Sequence, residues 1–227
     1  MRFLTRSETA TRFAGKSVAV VGSGPGVLKN RIGFIDSHDV VLRINNYKIT
    51  PQTGRRTDVF YSFFGTSIKK TARELKEHGV TLCMSKIPDA HAIQSDWHQR
   101  NGMMIGVDYR PHFQKRADWW FCDTYIPTVE EFLSTFHLLG RHVATTGFSA
   151  IVDVLSFRPR SVYITGFDFF RSGIHNVNEK WRPGRADDPI KHVPEIELKW
   201  LADNASRHPV SFDAVLESHV NTVRSAA

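Results

Sequence analysis

Cysteine is scarce: Cys83 and Cys122 are the only two in 227 residues. Two thiols cannot build a disulfide framework or a four-cysteine zinc site. Their settings, Leu82-Cys83-Met84 and Phe121-Cys122-Asp123, are apolar or aromatic and suit buried thiols in a reducing compartment. Long apolar runs are also missing. None approaches the ~18 residues of a transmembrane helix, and Met1 to Lys16 is too polar for a secretory signal. The expectation is a soluble, cytoplasmic protein. Acidic residues are outnumbered 30 to 23, giving a formal charge of +7. That balance excludes an acidic-tail protein and favours an anionic partner: a phosphorylated ligand, nucleic acid or a membrane face. Metal-ligand spacing is lacking as well. There is no HxxxH, and no Asp-x-Asp pair to hold a divalent ion on a sugar nucleotide.

What is present reads as globular: 41% hydrophobic, 11% aromatic and 23% charged residues. No internal repeat or low-complexity tract interrupts the chain. The length suits a single domain over residues 1–227 with a large core. Ser17 to Val21 is a β-branched run closed by Gly22-Ser23-Gly24-Pro25-Gly26, a strand entering a tight loop. Further strands are predicted at Asp39 to Ile44, Asp58 to Phe63, Val80 to Met84 and Ser161 to Thr165. Helices are predicted from Val27 towards Phe34, and over Ser67 to His78, Thr128 to Leu139, Gly147 to Phe157 and Pro194 to Ala205. Val210 to Val220 suits either an edge strand or a helical tail. Residues 86–126 read as an irregular or helical insertion. Residues 171–191, rich in charge, Pro and Gly, read as a flexible basic loop or lid. Strands alternating with helices imply an α/β fold, a Rossmann-like, doubly wound, mostly parallel sheet. Its ligands would bind at the carboxyl ends of the strands.

Four groups of residues suit chemistry there. Gly22, Ser23 and Gly24 allow a close approach of backbone to phosphate. The dinucleotide fingerprint would need glycine at 27, where Val27 stands, and Pro25 removes a donor. Asn45 ends a predicted strand and its amide can donate to a phosphate oxygen, or simply make a turn. Arg43 inside that strand suits pairing with Asp36 or Asp39, or facing the ligand. Thr145, Thr146 and Gly147 at a helix start form either an anion cradle or an ordinary N-cap. His175 and His192 titrate near neutrality and suit an acid–base pair. Glu197, shortly after His192, suits orienting it or capping the helix.

The order of these groups resembles the animal-type sialyltransferase family. Gly15 to Asn45 is similar to its large motif, a glycine loop joined to an IDSHD-V-x-RxN strand. Thr145 to Asp168 is similar to its small motif, an STG-type turn, a helix and a strand ending in GFD. His192 to Glu197 fits its HxxxxE motif, and His175 stands where the family keeps its other histidine. The resemblance implies a variant of the glycosyltransferase A-type fold. It implies an inverting transferase that uses a CMP-activated 2-keto acid sugar, with no cofactor and no metal. Gly22, Ser23 and Gly24 would line the cytidine monophosphate site, and Asn45 would hold the phosphate. Thr145, Thr146, Gly147, Gly166 and Asp168 would lie on the nucleotide and donor side. His192 would be the general base on the acceptor hydroxyl, His175 would assist phosphate departure, and Glu197 would orient the site. Arg171, Lys180, Arg182, Arg185 and Lys191 would meet the donor's negative charge.

Ser23 stands where the family usually has Asn, and neither motif holds a cysteine. With the short chain, this suits a bacterial relative acting on CMP-sialic acid or CMP-Kdo and on a glycan or lipid-linked saccharide acceptor. The basic surface would give peripheral contact with an anionic inner-membrane face; no nucleic-acid partner is expected. Two other readings compete. A non-catalytic basic module for nucleic acid or membrane would need a clustered basic face with exposed aromatics. A nicotinamide-dependent oxidoreductase would need an acidic residue after the second strand, and Asn45-Asn46 stands there.

Overall fold

The computed structural model describes residues 1–65, 67–88, 113, 115–171, 174–176, 179–180 and 192–226, with backbone pairing alone at 174–176 and 179–180. The strands are β1 (Phe3–Leu4), β2 (Ser17–Val21), β3 (Val40–Ile44), β4 (Val59–Ser62), β5 (Leu82–Ser85), β6 (Asp123–Tyr125), β7 (Ser161–Thr165), β8 (Ile174–Asn176), β9 (Glu179–Lys180) and β10 (Val210–Phe212). The α-helices are α1 (Arg6–Ala10), α2 (Ala72–Glu77), α3 (Val129–Leu138), α4 (Thr146–Ser156), α5 (Pro194–Asn204) and α6 (Ala214–Ser225). Eight strands form one sheet in the order β1-β6-β5-β4-β3-β2-β7-β10, and every pairing in it is parallel. β8 and β9 form a separate antiparallel pair.

The strands read as continuous apolar runs because both sheet faces are covered. The period of two splits each run between two cores. Val18, Val20, Leu42, Tyr61 and Met84 face a cluster that includes Ile151 and Val154 of α4, Leu198 and Leu201 of α5, and Leu216 of α6. Ala19, Val21 and Val41 turn the other way onto Val27 and Ile35. Phe60 and Cys83 meet Leu75, Trp119, Phe132 and Phe136. Burying each such side chain contributes about 1.5–3 kcal/mol. Cys83 and Cys122 remain buried thiols, with their Sγ atoms 3.5 Å apart.

The strand and helix starts follow the sequence reading with a few corrections. No α-helix follows the glycine loop. A 3-10 turn over Pro25–Lys29 stands there, and a second over Ile35–Ser37. Glycine and proline are the poorest helix formers, and the Asn30 side chain closes the turn by donating to the Val27 carbonyl. α2 is half the predicted length, because Asn46 ties the Ser67 carbonyl and the Lys69 amide outside the helix. Thr71 then caps α2 in a reciprocal box with Glu74, as Thr128 caps α3 with Glu131. Residues 86–126 contribute a strand, β6, rather than only irregular structure. Val210 to Val220 holds both expected forms, β10 and then α6. Among the described residues no helix is long and apolar enough to cross a membrane.

This topology fixes where a ligand would bind. From β2 the chain winds outward through β3, β4 and β5 on one side, then returns to β7 on the other. The switch point therefore lies between the carboxyl ends of β2 and β7. α4 leads back to the start of β7 and α5 to the start of β10, so both helices begin at the carboxyl edge of the sheet.

Candidate functional site

The two glycine segments meet at the switch point. Val21 pairs with Thr165, so Gly22 and Gly166 come next in register. The Gly22 amide donates to the Thr165 carbonyl at 2.8 Å, and the Gly24 amide to the Gly166 carbonyl at 2.7 Å. A Cβ on Gly22 would stand 2.3 Å from the Gly166 oxygen, and Gly166 itself has φ +74. Only glycine satisfies that approach and that backbone conformation. The Phe167 ring lies between Gly22 and Gly147; an added Cβ would meet it at 3.1 and 2.5 Å respectively. The predicted nucleotide loop and the predicted helix start are thus packed against one side chain.

Asp213, which the sequence reading passed over, holds this corner. One carboxylate oxygen accepts from the Thr165 hydroxyl at 2.8 Å and the Gly166 amide at 2.7 Å. The other accepts from the Val215 and Leu216 amides and so caps α6. Gly26 is the only residue that fits against it, since a Cβ there would lie 2.6 Å from both oxygens. Asp before a helical pattern is the N-cap signal that would have found it. Asn30 completes the frame, donating to the Thr165 hydroxyl and accepting from the Tyr163 hydroxyl.

Backbone strain gathers at the same edge. Asn45 has φ 49, Phe169 φ 50 and Phe170 φ 61. Such conformations cost on the order of 1–3 kcal/mol each and cluster at functional sites. Asp168, buried, holds the turn after β7 by accepting from the Phe170 amide at 3.1 Å. Asn45 continues β3 by donating its amide to the Tyr61 carbonyl. Its Oδ1 is buried with no hydrogen-bond partner among the described residues. That oxygen only accepts, so a ligand hydroxyl or amino group would satisfy it, whereas a phosphate oxygen would need the side-chain NH2. Arg43 does not face a ligand. It is fully buried, donates to the Arg56 and Thr53 carbonyls, and lies 4.0 Å from Asp36. Burial lowers it to about 10, with Asp36 opposing. Asp39 instead bonds Ser17 and Arg160.

Thr145 caps α4: its hydroxyl accepts from the Phe148 amide at 3.1 Å. Thr146 and Gly147 follow as the first helical residues, whose amides lack intrahelical partners as in any helix. Thr146 and Ser23 are part-exposed. Glu197, in the first turn of α5, is buried and accepts from the Thr145 amide at 2.6 Å and the Thr145 hydroxyl at 2.8 Å. Burial raises its carboxyl to about 7; the Thr145 bonds and Lys86 oppose that rise. Lys86, just past β5, is also buried and donates to the Ala144 carbonyl. Burial lowers it to about 8, against the pull of Glu197.

His192 sits just before α5, half-buried, with Nδ1 2.7 Å from the Val143 carbonyl. A carbonyl only accepts, so Nδ1 carries the proton and the neutral ring keeps its basic lone pair on Nε2. The structure thus brings His192, Glu197 and Thr145 together around residues 143–145. His175 falls in β8, and its side chain lies outside the described residues, as do Arg182, Arg185 and Lys191 of the predicted lid.

No protein-family model matches the chain, and no curated protein matches its sequence. Solved structures do match its fold. The sialyltransferase CstII from Campylobacter jejuni in complex with cytidine-5'-monophosphate is 13% identical. The match covers 88% of this chain and 80% of that one, with a TM-score of 0.56. An α-2,3-sialyltransferase from Campylobacter jejuni in its apo form is 12% identical over 96% of this chain and 81% of its own, with a TM-score of 0.53. A mammalian sialyltransferase is 17% identical over 87% of this chain and 68% of its own, also with a TM-score of 0.53. The chain therefore has the α/β fold that these sialyltransferases share.

Proposed function

We propose that the protein is a glycosyltransferase that moves a sialic acid, or a related 2-keto acid sugar such as Kdo, from a CMP-activated donor to a glycan hydroxyl. The observation that carries this reading is the convergence at one sheet edge. A glycine corner at the switch point, an asparagine of left-handed backbone at the end of β3 and a histidine of defined tautomer stand on the fold of a sialyltransferase solved with CMP.

The donor's phosphate and carboxylate would lie at this edge, Gly22, Ser23 and Gly24 on one side and Thr146 and Gly147 on the other. Asn45 would hold the phosphate through its amide. His192 Nε2 would take the proton of the acceptor hydroxyl as that oxygen attacks the anomeric carbon. The bond from that carbon to the CMP phosphate oxygen breaks as the new bond forms, inverting the centre. Charge then grows on the departing phosphate, and preorganised amides and cationic groups would stabilise it. His175 is assigned there on the motif resemblance alone.

The test is transfer from CMP-sialic acid or CMP-Kdo to a saccharide acceptor, in EDTA. Wild type should release CMP only when acceptor is present. His192→Ala should lose transfer by about 10²–10⁴-fold, the usual contribution of a general base, while CMP binding survives. Full activity in His192→Ala would overturn the assignment.

A further inference from the structure

Three consecutive residues between α3 and α4 are each fixed by a side chain from outside that segment. The Val143 carbonyl accepts from His192 ahead of α5. The Ala144 carbonyl accepts from Lys86 at the end of β5. Thr145 donates twice to Glu197 of α5. Lys86 thus enters from the end of β5 and grips the carbonyl next to the one that holds the histidine.

Lysine is an expensive choice for that task. Lys86 is only 8% exposed, and Phe132, Phe136 and Val143 line a small cavity with it. Anchoring one carbonyl does not by itself offset a buried ammonium. A charge kept at such cost needs a reason. Glu197, bonded to the adjacent Thr145, is the acidic group whose field acts on it. Glu131 and Asp153 also line the cavity with Lys86, beside the Tyr61 hydroxyl. Asp153 is already engaged by Arg6 and Tyr61, and Arg6 lies 3.8 Å from Glu131. Lys86 and Glu197 are left to balance each other across residues 144–145.

We propose that Lys86 is a positioning residue for His192: by clamping the Ala144 carbonyl, next to the Thr145 held by Glu197, it fixes the Val143 carbonyl and so the Nδ1–H tautomer of the histidine. This rests on the reading of His192 as general base. Lys86 touches neither donor nor acceptor in this account. Its effect reaches the chemistry only through the direction of one carbonyl.

The experiment has a readout that needs no activity. In ¹⁵N-histidine spectra at a pH above the histidine's titration, wild-type His192 should show one protonated Nδ1 and one unprotonated Nε2. Lys86→Met should bring the two nitrogen shifts together as the tautomers mix. With CMP-sugar and acceptor, Lys86→Met should lower kcat roughly ten- to a hundredfold, a part of what a general base supplies. KM for the donor should stay within about twofold, and Lys86→Arg should recover most of the rate. If Lys86→Met fails to fold, the same readouts apply to Lys86→Met/Glu197→Gln, which leaves neither charge unbalanced. Unchanged tautomer signals in the folded variant would overturn the proposal. If instead His192→Ala transfers sugar at the full rate, the general-base assignment fails, and the spectra still decide whether Lys86 sets the tautomer.

Discussion

Glu197 shows what one residue contributes and what it costs. Burial lifts its folded pKa to about 7 from an ordinary 4.5. A raised carboxyl favours the folded state only while it is protonated. Its contribution is complete below about 4.5 and is lost as pH rises to about 7. The span corresponds to roughly 3 kcal/mol. Glu197→Gln should therefore flatten the fall in thermal stability between those pH values, as followed by calorimetry. The same slope in the variant would place the titrating group elsewhere. At this scale the sequence was half legible. HxxxxE pointed to His192 and Glu197 as a pair. The structure puts Thr145 against Glu197 and Val143 against His192, partners more than forty positions away that no local spacing encodes. Lys86 carried little signal, being one lysine after an apolar strand.

At the scale of elements, the central strands were plain because a buried parallel strand is a short β-branched run with punctuation at its end. β2 and β7 match their predicted bounds, and β3 nearly so. β1 and β6 were missed because they are two and three residues long. At the edge, pairing depends on distant side chains such as Arg12 with Asp123. The missing helix after the glycine loop has a tertiary cause: the turn must fit Gly26 against Asp213 and tie Asn30 to β7. Asp213 joins three elements there: β7, the glycine loop and α6. Asp213→Ala removes an N-cap and leaves the Thr165 hydroxyl and the Gly166 amide without their acceptor. The loss should be on the order of 3 kcal/mol, or roughly 6–12 °C in Tm for a chain of this size. Unchanged Tm would show that the corner is held by packing alone.

For the whole molecule, topology converts scattered motifs into one site. The large motif ends at the carboxyl edges of β2 and β3. The small motif supplies the start of α4 and the end of β7, and HxxxxE the start of α5. A parallel sheet brings all of these to one side, which is why their order along the chain was informative. The +7 charge was legible as a preference for anions, but not as a location. The central claim is that this edge takes a cytidine nucleotide, and it is most directly tested by thermal stabilisation with CMP, UDP, GDP and NAD in EDTA. With CMP at about a hundred times its dissociation constant, the folded state should gain about 2–3 kcal/mol, raising Tm, while the other three leave it unchanged. A shift with NAD or UDP and none with CMP would contradict the account, leaving the fold as all that this chain shares with the sialyltransferases.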